Sequence, residues 1–155
     1  MFALAIGALS PAAKSATPSI SAGSSHSIAL NADGSVRNWG NDASGQLGVG
    51  RALGSANPTA VAGATSITAI ASGDSHAIAL KADGTVLAWG KNSDGQLGDG
   101  TTVNRSSPVT VSGLTNVEKI WARGSHNFAR KRDGSIWAWG SNGYGQLGDG
   151  SYENR

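Results

Sequence analysis

Residues 73–100 read GDSHAIALKADGTVLAWGKNSDGQLGDG, and closely similar stretches precede and follow them. Corresponding residues are 50 positions apart, as the histidines His26, His76 and His126 show. Three further motifs recur at the same spacing. They are a tryptophan at Trp39, Trp89 and Trp139, an Asp-Gly pair that begins at Asp33, Asp83 and Asp133, and a Gly-Gln-Leu-Gly motif that begins at Gly45, Gly95 and Gly145. A fixed period of this length indicates a repeat architecture.

Each repeat predicts a β-hairpin centred on its Asp-Gly pair. Asp83-Gly84 fits the two-residue type I′ turn, which needs a positive φ at both central positions. With that turn, Leu80 lies across from Leu87 and Ile78 lies across from Trp89. Opposed residues share a face of the sheet and successive residues alternate faces. We therefore expect a bulky face with Ile78, Leu80, Leu87 and Trp89 and a small face with Ala77, Ala79 and Ala88, a combination that suits stacking of successive sheets.

Further strands are predicted on both sides of each hairpin. Entering strands are expected at Ile20–Gly23, Ile67–Gly73 and Val117–Arg123. Outer strands are expected at Pro58–Val61 and Pro108–Val111, since proline belongs at a strand start or edge. The segments between hairpin and outer strand, Asn41–Asn57 and Lys91–Ser107, are rich in Gly, Asn, Asp and Ser and indicate loops. Because no segment has a helical period, the predicted class is all-β.

Composition agrees with this class. The 155 residues suffice for one ordinary domain. There are 23 glycines and only 14% charged residues, as expected of a turn-rich chain. The net charge of +2 does not by itself indicate nucleic-acid binding. The absence of cysteine excludes disulfides, Cys-ligated zinc and a thiol nucleophile.

The pattern Gly-x-x-His, Ile-Ala-Leu, Asp-Gly, Trp-Gly, Gly-Gln-Leu-Gly resembles the repeat of the regulator of chromosome condensation family, over nearly the whole chain after about Ser19. The resemblance implies a β-propeller built from blades, each an antiparallel four-stranded sheet. We expect residues 22–155 to form three such repeats, at about 22–66, 67–116 and 117–155, with the last blade incomplete. Propellers of this family usually have seven blades, so the resemblance implies a fragment of a seven-bladed propeller. Because ring closure hides sheet edges, a chain that oligomerises through its open edge is the alternative.

Residues 1–21 stand outside the regular pattern. The apolar run from Phe2 to Leu9 is too short to span a membrane, and no membrane span is expected. Ser10-Pro11-Ala12 could serve as a signal-peptide cleavage site, although no Lys or Arg precedes the apolar run. We expect an outer strand of a preceding blade or its remnant, with a signal segment as the alternative.

The polar residues of the repeat predict structural roles. The three histidines occupy one repeat position in different blades, whereas metal ligands must converge to about 2 Å from one ion. We expect each imidazole to bond a turn backbone instead. Asn92, Asp94 and Asp99 hint at calcium but lack the ligand order and closing Glu of an EF-hand loop. No nucleophile, acid–base pair or phosphate loop is recognisable, so we expect no enzyme, no cofactor and no metal site.

The third repeat departs most from the others. Trp121 stands where the second repeat has Ala71, and Arg130 stands where it has Leu80. Because Trp and Arg are enriched at binding hot spots, we expect a partner-binding patch. Its candidate residues are Trp121, Arg123, Arg130, Lys131, Arg132 and Trp137. In the predicted register Arg130 lies across from Trp137, so a local cation–π pair is the alternative explanation.

These observations favour a non-catalytic scaffold for protein–protein interaction, with another protein as its partner. Two alternatives remain open. The resemblance implies guanine nucleotide exchange on a small GTPase, which some family members perform. A structural or adhesive repeat region of a secreted or cell-surface protein would also explain near-identical repeats. Nucleic-acid binding by the basic and aromatic residues of the third repeat is not expected, because they form one patch in a balanced chain.

Overall fold

A computed structural model describes residues 16–51 and 53–155, which contain eleven β-strands and no helix. Within these ranges nothing resembles a membrane-crossing helix. Residues 1–15, which hold most of the N-terminal segment and its possible signal sequence, lie outside the described residues. The strands are β1 (Ser19–Ala22), β2 (His26–Leu30), β3 (Val36–Gly40), β4 (Ser55–Ala60), β5 (Ile67–Ser72), β6 (His76–Lys81), β7 (Val86–Gly90), β8 (Arg105–Thr110), β9 (Val117–Arg123), β10 (His126–Lys131) and β11 (Ile136–Gly140).

The strands form one antiparallel sheet per repeat, which confirms the predicted class. The first blade has the order β1-β2-β3-β4 and the second has β5-β6-β7-β8. The third blade has β9, β10 and β11, and Arg155 exchanges two backbone hydrogen bonds with Gly140, at 2.7 and 3.1 Å. Arg105 pairs with Gly90 at the equivalent place, so β8 begins three residues before the predicted Pro108. The predicted start of β4 at Pro58 was late by the same margin, because pairing with β3 resumes at Ser55 past extra residues in β4.

The turn at the hairpin tip differs from the prediction. Lys81 N–H donates to Thr85 O at 2.9 Å, and Gly84 N–H donates to Lys81 O at 3.0 Å. Gly84 has a φ of 85°, whereas Asp83 has no positive φ. The connection is therefore a three-residue loop of the type I plus left-handed glycine kind, and the predicted type I′ turn is wrong. The Asp83 carboxylate favours this loop, because Oδ1 accepts from Thr85 N at 2.9 Å and from Thr85 Oγ1 at 2.6 Å.

The longer loop moves the hairpin register by one residue. Leu80 pairs with Val86, Ile78 pairs with Ala88, and Ala77 pairs with Trp89. A slip of one residue exchanges the faces of a whole strand, so the predicted bulky and small faces are wrong. One face of the second blade is mainly branched aliphatic and consists of Ile78, Leu80, Val86 and Ala88. The other face combines two alanines and a leucine with an indole ring and consists of Ala77, Ala79, Leu87 and Trp89.

The two unlike faces produce the core between blades. The aliphatic face of the first blade packs against Ala77, Ala79 and Trp89 of the second. The aliphatic face of the second blade packs against Ala129 and Trp139 of the third. Small alanines leave room for the branched side chains, and the indole fills the remaining volume. Each interface is thus a buried apolar core that repeats the same pattern, which confirms the expected stacking of sheets.

Candidate protein-binding surface

The second histidine of the repeat links two blades. The His76 side chain is fully buried, and its Nε2 lies 2.7 Å from Oδ1 of Asn127 in the third blade. Burial lowers the pKa of His76 to about 4, so the imidazole is neutral at pH 7 and donates from Nε2 to the amide oxygen. Gly73 makes room for the ring, since a Cβ there would overlap His76 Cε1. The structural role of this histidine is therefore an interblade bond, where the sequence predicted a bond to a turn backbone.

The third repeat breaks this arrangement. Arg123 occupies the position of Gly73, and β9 continues through Arg123 whereas β5 ends at Ser72. His126 is only half-buried and sets its ring edge against Phe128, with centroids 5.5 Å apart. Partial burial lowers the pKa of His126, and the nearby Arg123 charge lowers it further. The change from Gly to Arg thus accompanies a more exposed histidine in the third blade.

The outer face of the third blade is the feature that most distinguishes it. We define this face by the side chains that point away from the second blade. Trp121 pairs with Phe128, and Arg130 pairs with Lys119 and Ile136. The equivalent face of the second blade packs against the third blade, whereas no strand among the described residues covers this one, where Trp121 is 46% and Ile136 59% exposed. The outer face consists of Lys119, Trp121, Arg123, Phe128, Arg130 and Ile136, and its second-blade counterparts are Ala69, Ala71, Gly73, Ile78, Leu80 and Val86.

The charge on the outer face is mainly positive. Arg130 forms an ion pair with Glu118, with Nη2 and Oε1 2.6 Å apart. Glu118 is the extra residue of a bulge, where the register between β9 and β10 shifts. Both partners are more than one-third exposed, so the pair contributes only about 0–1 kcal/mol. Its main effect is to hold the guanidinium over the sheet beside Lys119.

The structure separates the predicted patch into two groups. Trp121, Arg123 and Arg130 lie together on the outer face. Trp137 lies on the opposite face across from Ala129, and Lys131 Nζ is 5.5 Å from the centroid of its ring. The remaining candidate, Arg132, stands at the hairpin tip. The predicted pair between Arg130 and Trp137 is wrong, because the hairpin register is one residue away from the predicted one.

Three residues of the outer face were missed as candidates. Lys119, Phe128 and Ile136 were assigned no role in the sequence analysis. The membership of Ile136 depends on the hairpin register, which the Asp-Gly pair alone does not settle. The available signal was the Asp-Gly-Ser/Thr sequence, because a hydroxyl residue after the glycine can bond the aspartate as Thr85 does.

The loop residues that hinted at calcium bond the loop itself. Asp99 Oδ2 accepts from Arg105 Nε at 2.8 Å, and Asp99 Oδ1 accepts from Thr101 Oγ1 at 2.7 Å. Asn92 Nδ2 donates to Asp99 Oδ1, to Thr101 O and to Val103 O at 3.0–3.1 Å. The carboxylate and amide therefore fold the loop, and Asn142 and Asp149 make the same bonds in the third repeat.

The first repeat replaces this asparagine by Asp42. Its Oδ1 accepts from Leu47 N at 2.8 Å. Its Oδ2 is buried and has no hydrogen-bond partner in the described part of the chain. Burial raises the pKa of the Asp42 carboxyl above its ordinary value. The first loop thus lacks the amide donor that closes the other two.

Two family models, both described as "Regulator of chromosome condensation (RCC1) repeat", match the chain. One matches residues 19–46, 67–96 and 124–146, and the other matches residues 33–80 and 83–129. Each covers more than half of the chain, and their segments extend over all three sheets. The comparison with curated proteins finds no match.

Solved structures share the fold. Human WBSCR16 is 24% identical with a TM-score of 0.75, over 82% of this chain and 34% of that chain. Yeast RCC1 (Prp20), solved bound to Kap60, is 25% identical with a TM-score of 0.75, over 88% of this chain and 33% of that chain. Prp20p from Saccharomyces cerevisiae, characterised for binding to Gsp1p and histones, is 27% identical with a TM-score of 0.65, over 79% of this chain and 30% of that chain. The chain spans about a third of the length of these structures. Their similarity to it confirms that its sheets are blades of an RCC1-type β-propeller.

Proposed function

The chain belongs to the regulator of chromosome condensation (RCC1) repeat family, and we propose that it is a non-catalytic scaffold that binds another protein through the outer face of the third blade. One observation carries the proposal: this face departs from the packing face of the second blade. Trp121 and Arg130 replace residues of small or aliphatic type, while the opposite face keeps Ala129 and Trp139 in the interblade core.

The composition of the outer face fits a protein interface. Trp121, Phe128 and Ile136 supply apolar area, and Lys119 and Arg130 flank them with positive charge. Aromatic residues and arginine are enriched in interface cores and hot spots. Cations at the rim favour a partner with the opposite charge. The partner is therefore expected to present carboxylates around an apolar centre.

A blade resembling the second one would fit this face poorly. Leu80, the counterpart of Arg130, is only 4% exposed against the third blade. Burying a guanidinium at that depth against alanines and an indole would leave its charge without adequate hydrogen bonds, which costs several kcal/mol. A partner surface that supplies carboxylates removes this cost.

Two titratable groups of the repeats, His76 and Asp99, serve the frame of the blades. His76 is neutral and bonded between blades, and Asp99 is held by Arg105 and by its own loop. Their hydrogen bonds stabilise the frame that presents the outer face.

The test is affinity capture of a partner by the whole chain, followed by titration with the purified partner. We expect Trp121→Ala and Arg130→Glu each to weaken that partner's binding by more than about 1 kcal/mol, or roughly fivefold. Tyr152→Ala is the matched control, because Tyr152 is 74% exposed and outside the outer face. The proposal fails if both outer-face variants bind the partner as tightly as the unmodified chain does.

A second candidate function is guanine nucleotide exchange on a small GTPase. The similarity to Prp20p, a protein characterised for binding to Gsp1p, favours it. Release of a labelled guanine nucleotide from purified GTPases, measured with and without the chain, tests this activity. Acceleration that increases with chain concentration would support exchange activity, and rates equal to spontaneous release would reject it for the GTPases used.

A further inference from the structure

A buried asparagine closes the contact between the first and second blades. Asn38 of β3 is fully buried, and its Nδ2 donates to Gln46 O at 3.2 Å and to Leu47 O at 3.0 Å. Gln46 O also accepts from Nε1 of Trp89 in the second blade, at 3.1 Å. A carbonyl oxygen has two lone pairs, so an amide of the first blade and an indole of the second together saturate this acceptor.

The contact between the second and third blades has the same arrangement with the asparagine on the other side. Gln96 O, the equivalent carbonyl, accepts from Trp139 Nε1 at 3.0 Å. Its second donor is Nδ2 of Asn127, at 2.8 Å, and Asn127 belongs to β10 of the third blade. The amide thus comes from the leading blade, the earlier one in the chain, in the first contact and from the following blade in the second.

Alanine occupies the position that each contact leaves without an amide. The second repeat has Ala88 where the first has Asn38, and it has Ala77 where the third has Asn127. Both alanines are fully buried, Ala77 in the first contact and Ala88 in the second. Each contact therefore combines one asparagine with one alanine, in opposite orders.

We propose that this carboxamide decides which blades can be neighbours. A leading blade with asparagine in its third strand takes a follower with alanine in its second strand, and a leading blade with alanine takes a follower with asparagine. Two asparagines would overfill the position and leave one buried amide without an acceptor, whereas two alanines would leave the carbonyl with a single donor. A single buried polar residue fixes partner and register in coiled coils in the same way.

The two orders differ in one hydrogen bond. Oδ1 of Asn127 accepts from His76 Nε2 at 2.7 Å, so this amide also satisfies the histidine of the leading blade. In the first contact, His26 Nε2 and Asn38 Oδ1 are buried, and neither has a hydrogen-bond partner among the described residues. Moving the amide across the first contact should therefore give His26 the bond that His76 has. Both contacts lie between strands that are all described and are separate from the outer face.

The test is a reciprocal exchange in the whole chain, with urea unfolding of Asn38→Ala, of Ala77→Asn and of the double variant. Ala77→Asn alone should raise the equilibrium constant for unfolding about tenfold, because a second amide enters an occupied position. The double variant should unfold with a constant about tenfold or more below that of Ala77→Asn, and no greater than that of the unmodified chain. Such coupling requires that the two amides share one position.

The second contact supplies the opposite exchange, which stays measurable even if Ala77→Asn does not fold. Ala88→Asn should destabilise the unmodified chain for the same steric reason. In the Asn127→Ala background it should instead recover part of the lost stability, because the new amide can reach Gln96 O. Recovery should be incomplete, since an amide from the leading blade leaves His76 without its acceptor.

Nuclear magnetic resonance of the imidazole N–H groups reports the histidine bond directly. His76 should give an Nε2–H signal that exchanges slowly with water, and His26 of the unmodified chain should not. In the double variant Asn38→Ala with Ala77→Asn, His26 should gain such a signal while that of His76 is unchanged.

Three results would overturn the assignment. Additive effects of Asn38→Ala and Ala77→Asn would show that the two amides do not share a position. Failure of Ala88→Asn to recover any stability in the Asn127→Ala background would show the same for the second contact. A stable double variant without a protected His26 N–H would show that the amide does not take the place that Asn127 has in the second contact.

Discussion

The bond between His76 and Asn127 should make Asn127→Ala one of the more destabilising substitutions in the chain. Asn127 is fully buried in the third blade, and both of its polar side-chain atoms bond residues of the second repeat. Oδ1 accepts from His76 Nε2 at 2.7 Å, and Nδ2 donates to Gln96 O at 2.8 Å. Truncation removes both bonds from a buried position, so the consequences for each partner decide the magnitude.

The two partners are affected unequally. His76 Nε2 would be left buried without an acceptor, which costs about 1–3 kcal/mol. Gln96 O would still accept from Trp139 Nε1 at 3.0 Å, so the loss there is about 1 kcal/mol. We therefore expect Asn127→Ala to lower the free energy of unfolding by about 2–4 kcal/mol.

Asn38→Ala is a matched control, because it removes the same atoms from a buried position in the first blade. Asn38 Nδ2 donates to Gln46 O and Leu47 O, but its Oδ1 has no hydrogen-bond partner among the described residues. Gln46 O keeps its bond from Trp89 Nε1, and truncation also removes an unsatisfied oxygen. The expected cost is about 0–2 kcal/mol, because no histidine is left without an acceptor.

The assay is urea unfolding followed by tryptophan fluorescence, with equal m-values required before the variants are compared. Asn127→Ala should lose about 2 kcal/mol more than Asn38→Ala. Equal losses, or a greater loss for Asn38→Ala, would show that the interblade histidine bond does not carry the stability assigned to it.

Three further predictions concern buried groups. Asp42→Asn should stabilise the protein by about 1–2 kcal/mol at pH 7 in urea unfolding, because it replaces a buried, partly unsatisfied carboxylate by the amide of the other repeats. The pKa of Asp42 is raised in the folded state, so the gain should disappear as the pH falls towards the ordinary value of 3.8, and a constant gain would contradict the reasoning. The pKa of His76 is lowered from 6.5 in the unfolded chain to about 4 in the folded protein, so the free energy of unfolding should fall by about 3 kcal/mol as the pH falls from 6.5 to 4. His76→Gln should flatten this decline if the titration of His76 is its cause. Gly73→Ala should cost about 1–3 kcal/mol because its Cβ would overlap the His76 ring, while Gly143→Ala, with no atom within 4 Å of the new Cβ, should change the unfolding free energy by less than about 0.5 kcal/mol; equal effects would remove the steric explanation.

The repeat period predicted the fold because it is a long-range signal. A spacing of 50 residues, the Asp-Gly pairs and the alternation within His76–Leu80 were enough to place a hairpin in each repeat. Stacking of unlike faces also followed from the pattern, since large and small side chains alternate along the first strand of the second hairpin. What the pattern left open was a local choice between two loop lengths.

That local choice determined the candidate site. The side chain of Asp83 bonds Thr85 and selects the three-residue loop, and the energy of these bonds is not visible in a turn dipeptide. One residue of register then separated Trp137 from Arg130 and joined Arg130 to Ile136. The bond between His76 and Asn127 was equally hidden, because its partners lie 51 residues apart and the second repeat has Ala77 where the third has Asn127.

The third blade is altered on one face only, and this asymmetry limits what the outer face can contact. Towards the second blade it presents Ala129 and Trp139, as the second blade presents alanines and Trp89 to the first. On the outer face, Arg130 occupies the position at which Leu80 is nearly excluded from solvent. Contact with an alanine-and-indole face would strip water from the guanidinium and leave Glu118 as its only described carboxylate, whereas a partner with further carboxylates, or water, satisfies its remaining donors. The interblade pattern therefore accounts for one face of the third blade, and Arg130 makes the outer face a poor match for a blade that resembles the first two.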